Sequence, residues 1–248
     1  NIKDDEVTDI AFNTKPLSNL VPKGLFLLKN FKIKKNSIER YKKKIKSKSY
    51  LFEKFNFNKN LKIHYIEHHL AHIASAYYPS NFKKAIGLSI DGSGDFVTLA
   101  ISECYDQKIN IKKKIFFPNS LGIFYHAMTQ FLGFKNYGDE YKIMGMAAYG
   151  KPLYFDKIKD NLFIIDKNKN FKLNLYYFNH QRSDFRYIAD DNLIIDNIFN
   201  ENLSKLFIKD KDEASNISDF SKNFACSVQK IYEYFFEIIL KNISKSNF

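Results

Sequence analysis

Glu67-His68-His69-Leu70-Ala71-His72-Ile73-Ala74-Ser75-Ala76-Tyr77-Tyr78-Pro79-Ser80, followed by Ala85-Ile86-Gly87-Leu88-Ser89-Ile90-Asp91-Gly92-Ser93-Gly94-Asp95, decides how this chain is read. In the first stretch small and apolar residues recur at helical spacing until Pro79 stops the helix. In the second, an apolar run reads as a buried strand. Asp91 to Asp95 then reads as a tight turn into another strand over 97–102, so the two strands form a hairpin.

His68 and His72 are four residues apart on this helix, so both imidazoles project from one face and can hold a single metal ion. Spacing alone is weak evidence. A pair that caps or packs, with His64 and His69 as surface residues, has the same spacing. Four of the six histidines do fall between His64 and His72, and the turn one strand later can bring Asp91 toward them as a hard oxygen ligand. In the same turn Gly92, Ser93 and Gly94 leave backbone amides uncovered, which lets a phosphate approach closely. The same residues also make an ordinary hairpin turn.

Outward from this core, residues 109–117 read as a third strand, and Ser120 is placed to cap a helix over 121–132 that Gly133 closes. The Gly-punctuated segment 136–152 is rich in small residues and is expected to pack closely against a neighbour. Residues 162–165 and 171–175 flank a turn and read as a second hairpin. Ile217, Phe220, Phe224, Val228, Ile231, Phe235 and Ile238 mark a long amphipathic helix. Upstream, a Lys-rich stretch within 16–61 reads as surface helices and loops. No internal repeat or low-complexity linker divides the chain.

At 248 residues the chain is long enough for one large domain or two small ones, and its 45% hydrophobic content suits a globular core built from Phe, Ile and Leu. The net charge of +12 raises an anionic partner. Its distribution argues against nucleic acid: Arg occurs only at Arg40, Arg182 and Arg186, and Lys, Asn, Ile and Phe are heavy throughout, as in proteins from AT-rich genomes. Cys104 and Cys226 stand far apart in dissimilar contexts, which excludes a disulfide framework and a cysteine zinc site and fits a reducing cytoplasm. No apolar run approaches the roughly 20 residues of a membrane helix. With neither an initiator Met nor a targeting core, the chain is expected to be an internal fragment.

Together with the two opening stretches, three further motifs carry a resemblance. They are Phe117-Pro118-Asn119-Ser120-Leu121-Gly122-Ile123-Phe124-Tyr125, Phe131-Leu132-Gly133-Phe134, and Asp139-Glu140-Tyr141-Lys142-Ile143-Met144-Gly145-Met146-Ala147-Ala148-Tyr149-Gly150. In this order they resemble the O-carbamoyltransferases of the NodU/CmcH type, in their N-terminal domain, from about His64 to near the C-terminus. More distantly the chain is similar to the tRNA threonylcarbamoyl-adenosine synthases, which carry the same paired histidines. The resemblance implies an α/β, actin-like ATPase (ribonuclease H-like) fold, here partial, with mixed sheet hairpins and flanking helices. It makes residues 1–248 part of one such domain: a Lys-rich region over 1–62, a metal and phosphate core over 63–152, and a hairpin and long helix over 153–248.

The resemblance also implies roles. His68, His72 and Asp91 would be the metal ligands, with iron the expected divalent ion and Asp91 also catalytic. Gly92, Ser93 and Gly94 would meet a phosphate or adenylate, and Glu140 and Lys142 the substrate. The parent enzyme would use ATP and carbamoyl phosphate to make carbamoyl-adenylate, then pass the carbamoyl group to a hydroxyl of a small molecule or sugar. The family's opening His- and Asp-containing motif is missing here, as are its later Gly-Gly-Val nucleotide turn, a further metal Asp and the adenylate-forming domain. The chain alone is therefore expected to be inactive. Two rivals stand beside this reading. A threonylcarbamoyl transferase shares the paired histidines, and a non-enzymatic basic module rests on the Lys32 to Lys48 stretch.

Overall fold

The computed structural model describes residues 3–29, 47–58, 60–167, 170–181, 185–187, 193–208, 210 and 217–245. They form a mixed α/β protein in two units, Asn1–Phe117 and Pro118–Phe248. The division falls inside the 63–152 stretch read from sequence as one core.

In the first unit β1 (Asp9–Phe12) pairs in parallel with β2 (Lys62–Tyr65), in the register Asp9↔Lys62 to Phe12↔Tyr65. Phe12 stacks on Tyr65 across the pair at 5.6 Å. Between these strands lie α1 (Leu20–Lys29) and α2 (Ser47–Lys54), with most of the Lys-rich stretch outside the described residues. β2 leads at once into α3 (His68–Tyr77), and then into an antiparallel meander of β3 (Lys84–Gly94), β4 (Val97–Tyr105) and β5 (Lys108–Phe116). Helix α3 packs on this sheet through Ile73 and Tyr77, which share a core with Val97, Ala100 and Cys104. Each such large apolar side chain contributes roughly 1.5–3 kcal/mol on full burial. One face of α3 is thereby committed to the core and the other is left for chemistry.

The expected tight turn is shifted. Asp91 to Gly94 belong to β3, where the register with β4 is interrupted between Ile90 and Gly94, and the chain reverses at Asp95 and Phe96. Both turn residues have positive φ, 50° and 74°, the type I′ geometry that matches the twist of paired strands. Asp adopts this conformation readily, whereas Phe does so at a cost. The Phe96 ring is held by Phe26 at 5.5 Å and Phe117 at 5.7 Å.

In the second unit Ser120 caps α4 (Leu121–Phe131) by accepting a hydrogen bond from the Ile123 amide, a contact worth about 1 kcal/mol. The 136–152 segment contains a further helix, α5 (Glu140–Ala147), followed by α6 (Phe155–Leu162). The second hairpin is short, β6 (Phe163–Ile165) with β7 (Phe171–Leu173), and β8 (Phe185–Tyr187) pairs with β9 (Leu193–Ile195). After α7 (Glu201–Leu206), the long helix α8 (Ile217–Lys245) buries Phe220, Phe224, Val228, Ile231 and Phe235, the face its spacing predicts. Phe163 and Phe171 close on Phe235 at 4.4 and 5.0 Å. The close packing expected near residue 150 is at Gly150, where an added Cβ would fall 2.1 Å from the Lys222 carbonyl oxygen of α8. Among the described residues no helix is long and apolar enough to cross a membrane.

Candidate metal centre

The solvent-facing side of α3 carries His68 and His72 one turn apart, and the irregular end of β3 carries Asp91 beside them. His68 Nε2 lies 2.8 Å from Asp91 Oδ2 and 2.9 Å from His72 Nε2, and His72 Nε2 lies 3.6 Å from Asp91 Oδ2. Ligand atoms about 2.0–2.2 Å from a common ion stand roughly 3 to 3.5 Å from one another, so this triangle has the size of one face of a coordination shell. Two imidazoles and a carboxylate suit a borderline divalent ion such as iron or zinc. Among the described residues these are the His, Cys, Asp and Glu side chains that cluster closely enough for a metal.

The surroundings orient the donors. His68 Nδ1 donates to the Asn13 carbonyl at 3.3 Å, which turns Nε2 toward Asp91 and His72. A carbonyl on the far ring nitrogen is the usual means of fixing a ligating imidazole. The hydrogen bond to Asp91 raises the His68 pKa, against the opposing effect of burial. The same bond is the largest cause that lowers Asp91, to about 2, so the carboxylate is anionic across the physiological range.

His69 departs from the surface role that the non-metal reading gave it. It is fully buried, with Nδ1 2.8 Å from Ser89 Oγ and Nε2 donating to the Val97 carbonyl at 2.9 Å. Burial lowers its pKa, so it is a neutral tie between α3 and the sheet. His64 is half-exposed and pairs with Asp9 at 2.6 Å.

The three turn residues differ in environment. The Gly92 amide donates to Asp91 Oδ1 at 2.6 Å, and open space faces its α-carbon. Ser93 is exposed. Gly94 is buried under His68: a Cβ there would fall 1.9 Å from the imidazole Cδ2. In the second unit Glu140 and Lys142 have separate partners. Glu140 accepts from His126 Nδ1 at 2.6 Å, and Lys142 pairs with Asp139 at 2.7 Å. Burial is the largest single influence on Glu140 and pushes it up, but the His126 hydrogen bond, a backbone hydrogen bond and the His126 charge together outweigh it, so the net shift is downward. His126 had no sequence signal, since its contact with Glu140 joins two separate helices, α4 and α5, and no periodicity within one element reports it.

A family model described as carbamoyltransferase N-terminus matches residues 6–246. The chain belongs to that family. Among curated relatives, the uncharacterized protein sll1178 of Synechocystis is 43% identical over 114 residues, covering 46% of this chain and 18% of that protein. The nodulation protein NolNO of Sinorhizobium fredii is 39% identical over 95 residues, covering 37% of this chain and 13% of its own length. The nodulation protein NolO of Bradyrhizobium diazoefficiens is 38% identical over 89 residues, covering 35% and 16%. This member of the carbamoyltransferase N-terminus family thus spans less than a fifth of each of these relatives.

Proposed function

We propose that this chain is the metal-holding part of an O-carbamoyltransferase of the NodU/CmcH type, built on a partial actin-like ATPase fold. Its parent would accept carbamoyl-adenylate, made from ATP and carbamoyl phosphate by another domain of the same polypeptide, and transfer the carbamoyl group to a hydroxyl of a small molecule or sugar. Family membership supports carbamoyl transfer in general. The observation that carries the finer reading is the triangle of His68, His72 and Asp91, a donor set that fits one divalent ion, with iron the expected one.

In the reaction the acceptor oxygen forms a bond to the carbamoyl carbon, the bond from that carbon to the adenylate phosphate oxygen breaks, and the acceptor loses its proton as AMP leaves. A bound ion supplies a Lewis acid for the carbonyl or phosphate oxygen. His68 and His72 present their Nε2 atoms toward one point, and the Asn13 carbonyl keeps His68 turned that way. Asp91 brings a fixed negative charge to the same point. The open side of Gly92 and the exposed Ser93 leave room for a phosphate to approach the end of β3. Glu140 and Lys142, in the second unit, are proposed for substrate contact from the family resemblance alone. Holding electrophile and acceptor in one geometry supplies much of the rate.

The test is carbamoyl transfer by the full-length parent, followed from ATP and carbamoyl phosphate to a polyol or sugar acceptor. Asp91→Asn keeps the shape and removes the charge, and is expected to lower turnover by about 100-fold or more. Full activity in Asp91→Asn would reduce Asp91 to part of an irregular strand end.

A further inference from the structure

The five residues from Asp91 to Asp95 hold two carboxylates with different surroundings. Asp91 points one oxygen at the two imidazoles. Asp95 is buried, only 8% exposed, and both of its oxygens are taken. Oδ1 accepts from the Thr14 hydroxyl at 2.7 Å, and Oδ2 accepts from the Lys15 amide at 2.7 Å and the His68 amide at 3.0 Å. Its own carbonyl accepts from Asn19 Nδ2 at 3.0 Å.

The His68 contact is the informative one. The first amides of a helix need an acceptor from outside it, ordinarily the side chain of the capping residue. Glu67, in that position on α3, makes no such bond. Its Oε2 instead accepts from Lys114 at 2.9 Å, and Lys114 also reaches Asn19 Oδ1 at 3.2 Å. The cap is supplied from 27 residues away by Asp95. The same carboxylate holds the start of the 14–19 loop, next to the Asn13 carbonyl that orients the His68 ring. Asp95 therefore joins the backbone of the first candidate ligand, the loop that sets its ring and the turn that closes β3.

We infer that Asp95 is a positioning residue of the metal centre, fixing His68 through hydrogen-bond geometry while taking no place in the coordination shell. This rests on the metal reading proposed above. The expected consequence is that metal affinity depends on the shape of residue 95 more than on its charge. Asn keeps an acceptor oxygen for the two amides and tolerates the positive φ of 50°. Gly tolerates that φ but has no acceptor. Glu keeps the charge and misplaces it by a methylene.

The experiment titrates the 248-residue chain with Co2+, reading affinity by calorimetry and coordination by the visible ligand-field bands, with circular dichroism to establish folding. Relative to wild type, Asp95→Asn should bind within about threefold, while Asp95→Gly and Asp95→Glu should bind about 10–100-fold more weakly with altered bands, the usual scale for losing an outer-shell partner. Should the Gly variant fail to fold, the order of Asn against Glu still decides. An Asn variant as weak as Glu or weaker would make Asp95 a charge effect and overturn the inference, as would a folded Gly variant with wild-type affinity. If wild type itself binds no Co2+, the metal reading fails for the 248-residue chain, a result distinct from any order among the variants.

Discussion

Gly92 and Gly94 stand two residues apart and face opposite situations, one open and one filled by the His68 ring. Gly94→Ala must therefore displace the imidazole, and is expected to cost about 1–3 kcal/mol, the range for overpacking a filled site, and to weaken Co2+ binding. Gly92→Ala should leave thermal stability unchanged. Comparing the two melting curves and titrations checks this, and equal behaviour of the two variants would contradict the packing of His68 on Gly94. At this scale the sequence was partly legible. The four-residue spacing placed His68 and His72 on one helix face, because an α-helix leaves no other option. It could not separate His69, whose burial depends on Ser89 and Val97, from a surface histidine. Nor could it show that Asp95 caps α3, since that contact bridges 27 residues.

Among the elements, α3 and the meander were legible because each carries its own pattern and its own stop signal, and α8 was legible from its apolar spacing alone. β1 was not: its four residues are too few to show a period, and its partner β2 begins only at Lys62. The glycines at 92 and 94 read as the reversal, whereas tertiary packing makes them an irregular strand end and puts the turn on Asp95 and Phe96. The loop ahead of β8 holds another buried histidine, His180, which donates to the Pro118 carbonyl at 2.8 Å. Burial lowers its pKa to about 4. The unfolded chain takes up this proton near the ordinary pKa of about 6.5 while the folded chain stays neutral, so stability is whole above that pH and falls as pH drops toward 4. The loss across that window is about 3 kcal/mol at most. Urea unfolding at several pH values should show a shallower pH dependence between 6.5 and 4 in His180→Gln, which keeps a donor for Pro118 and cannot titrate. An unchanged slope would place the protonation elsewhere.

Across the whole molecule, the mixed α/β class and the family were legible from ordered motifs, while the division into two units at Phe117 and Pro118 was not, because no linker composition marks it. The family assignment covers residues 6–246, yet the chain spans less than a fifth of its curated relatives. On the proposed reading, in which another domain forms the adenylate, the 248-residue chain alone is expected to show no steady carbamoyl transfer from ATP and carbamoyl phosphate. Sustained turnover by the isolated chain would show that the chemistry needs fewer parts. The central claim is that His68, His72 and Asp91 hold a divalent ion, and elemental analysis of the purified full-length parent measures it most directly. The account predicts a single equivalent of divalent metal in wild type and its loss in the His68→Ala/His72→Ala variant with the fold retained; undiminished stoichiometric metal in that variant would contradict it.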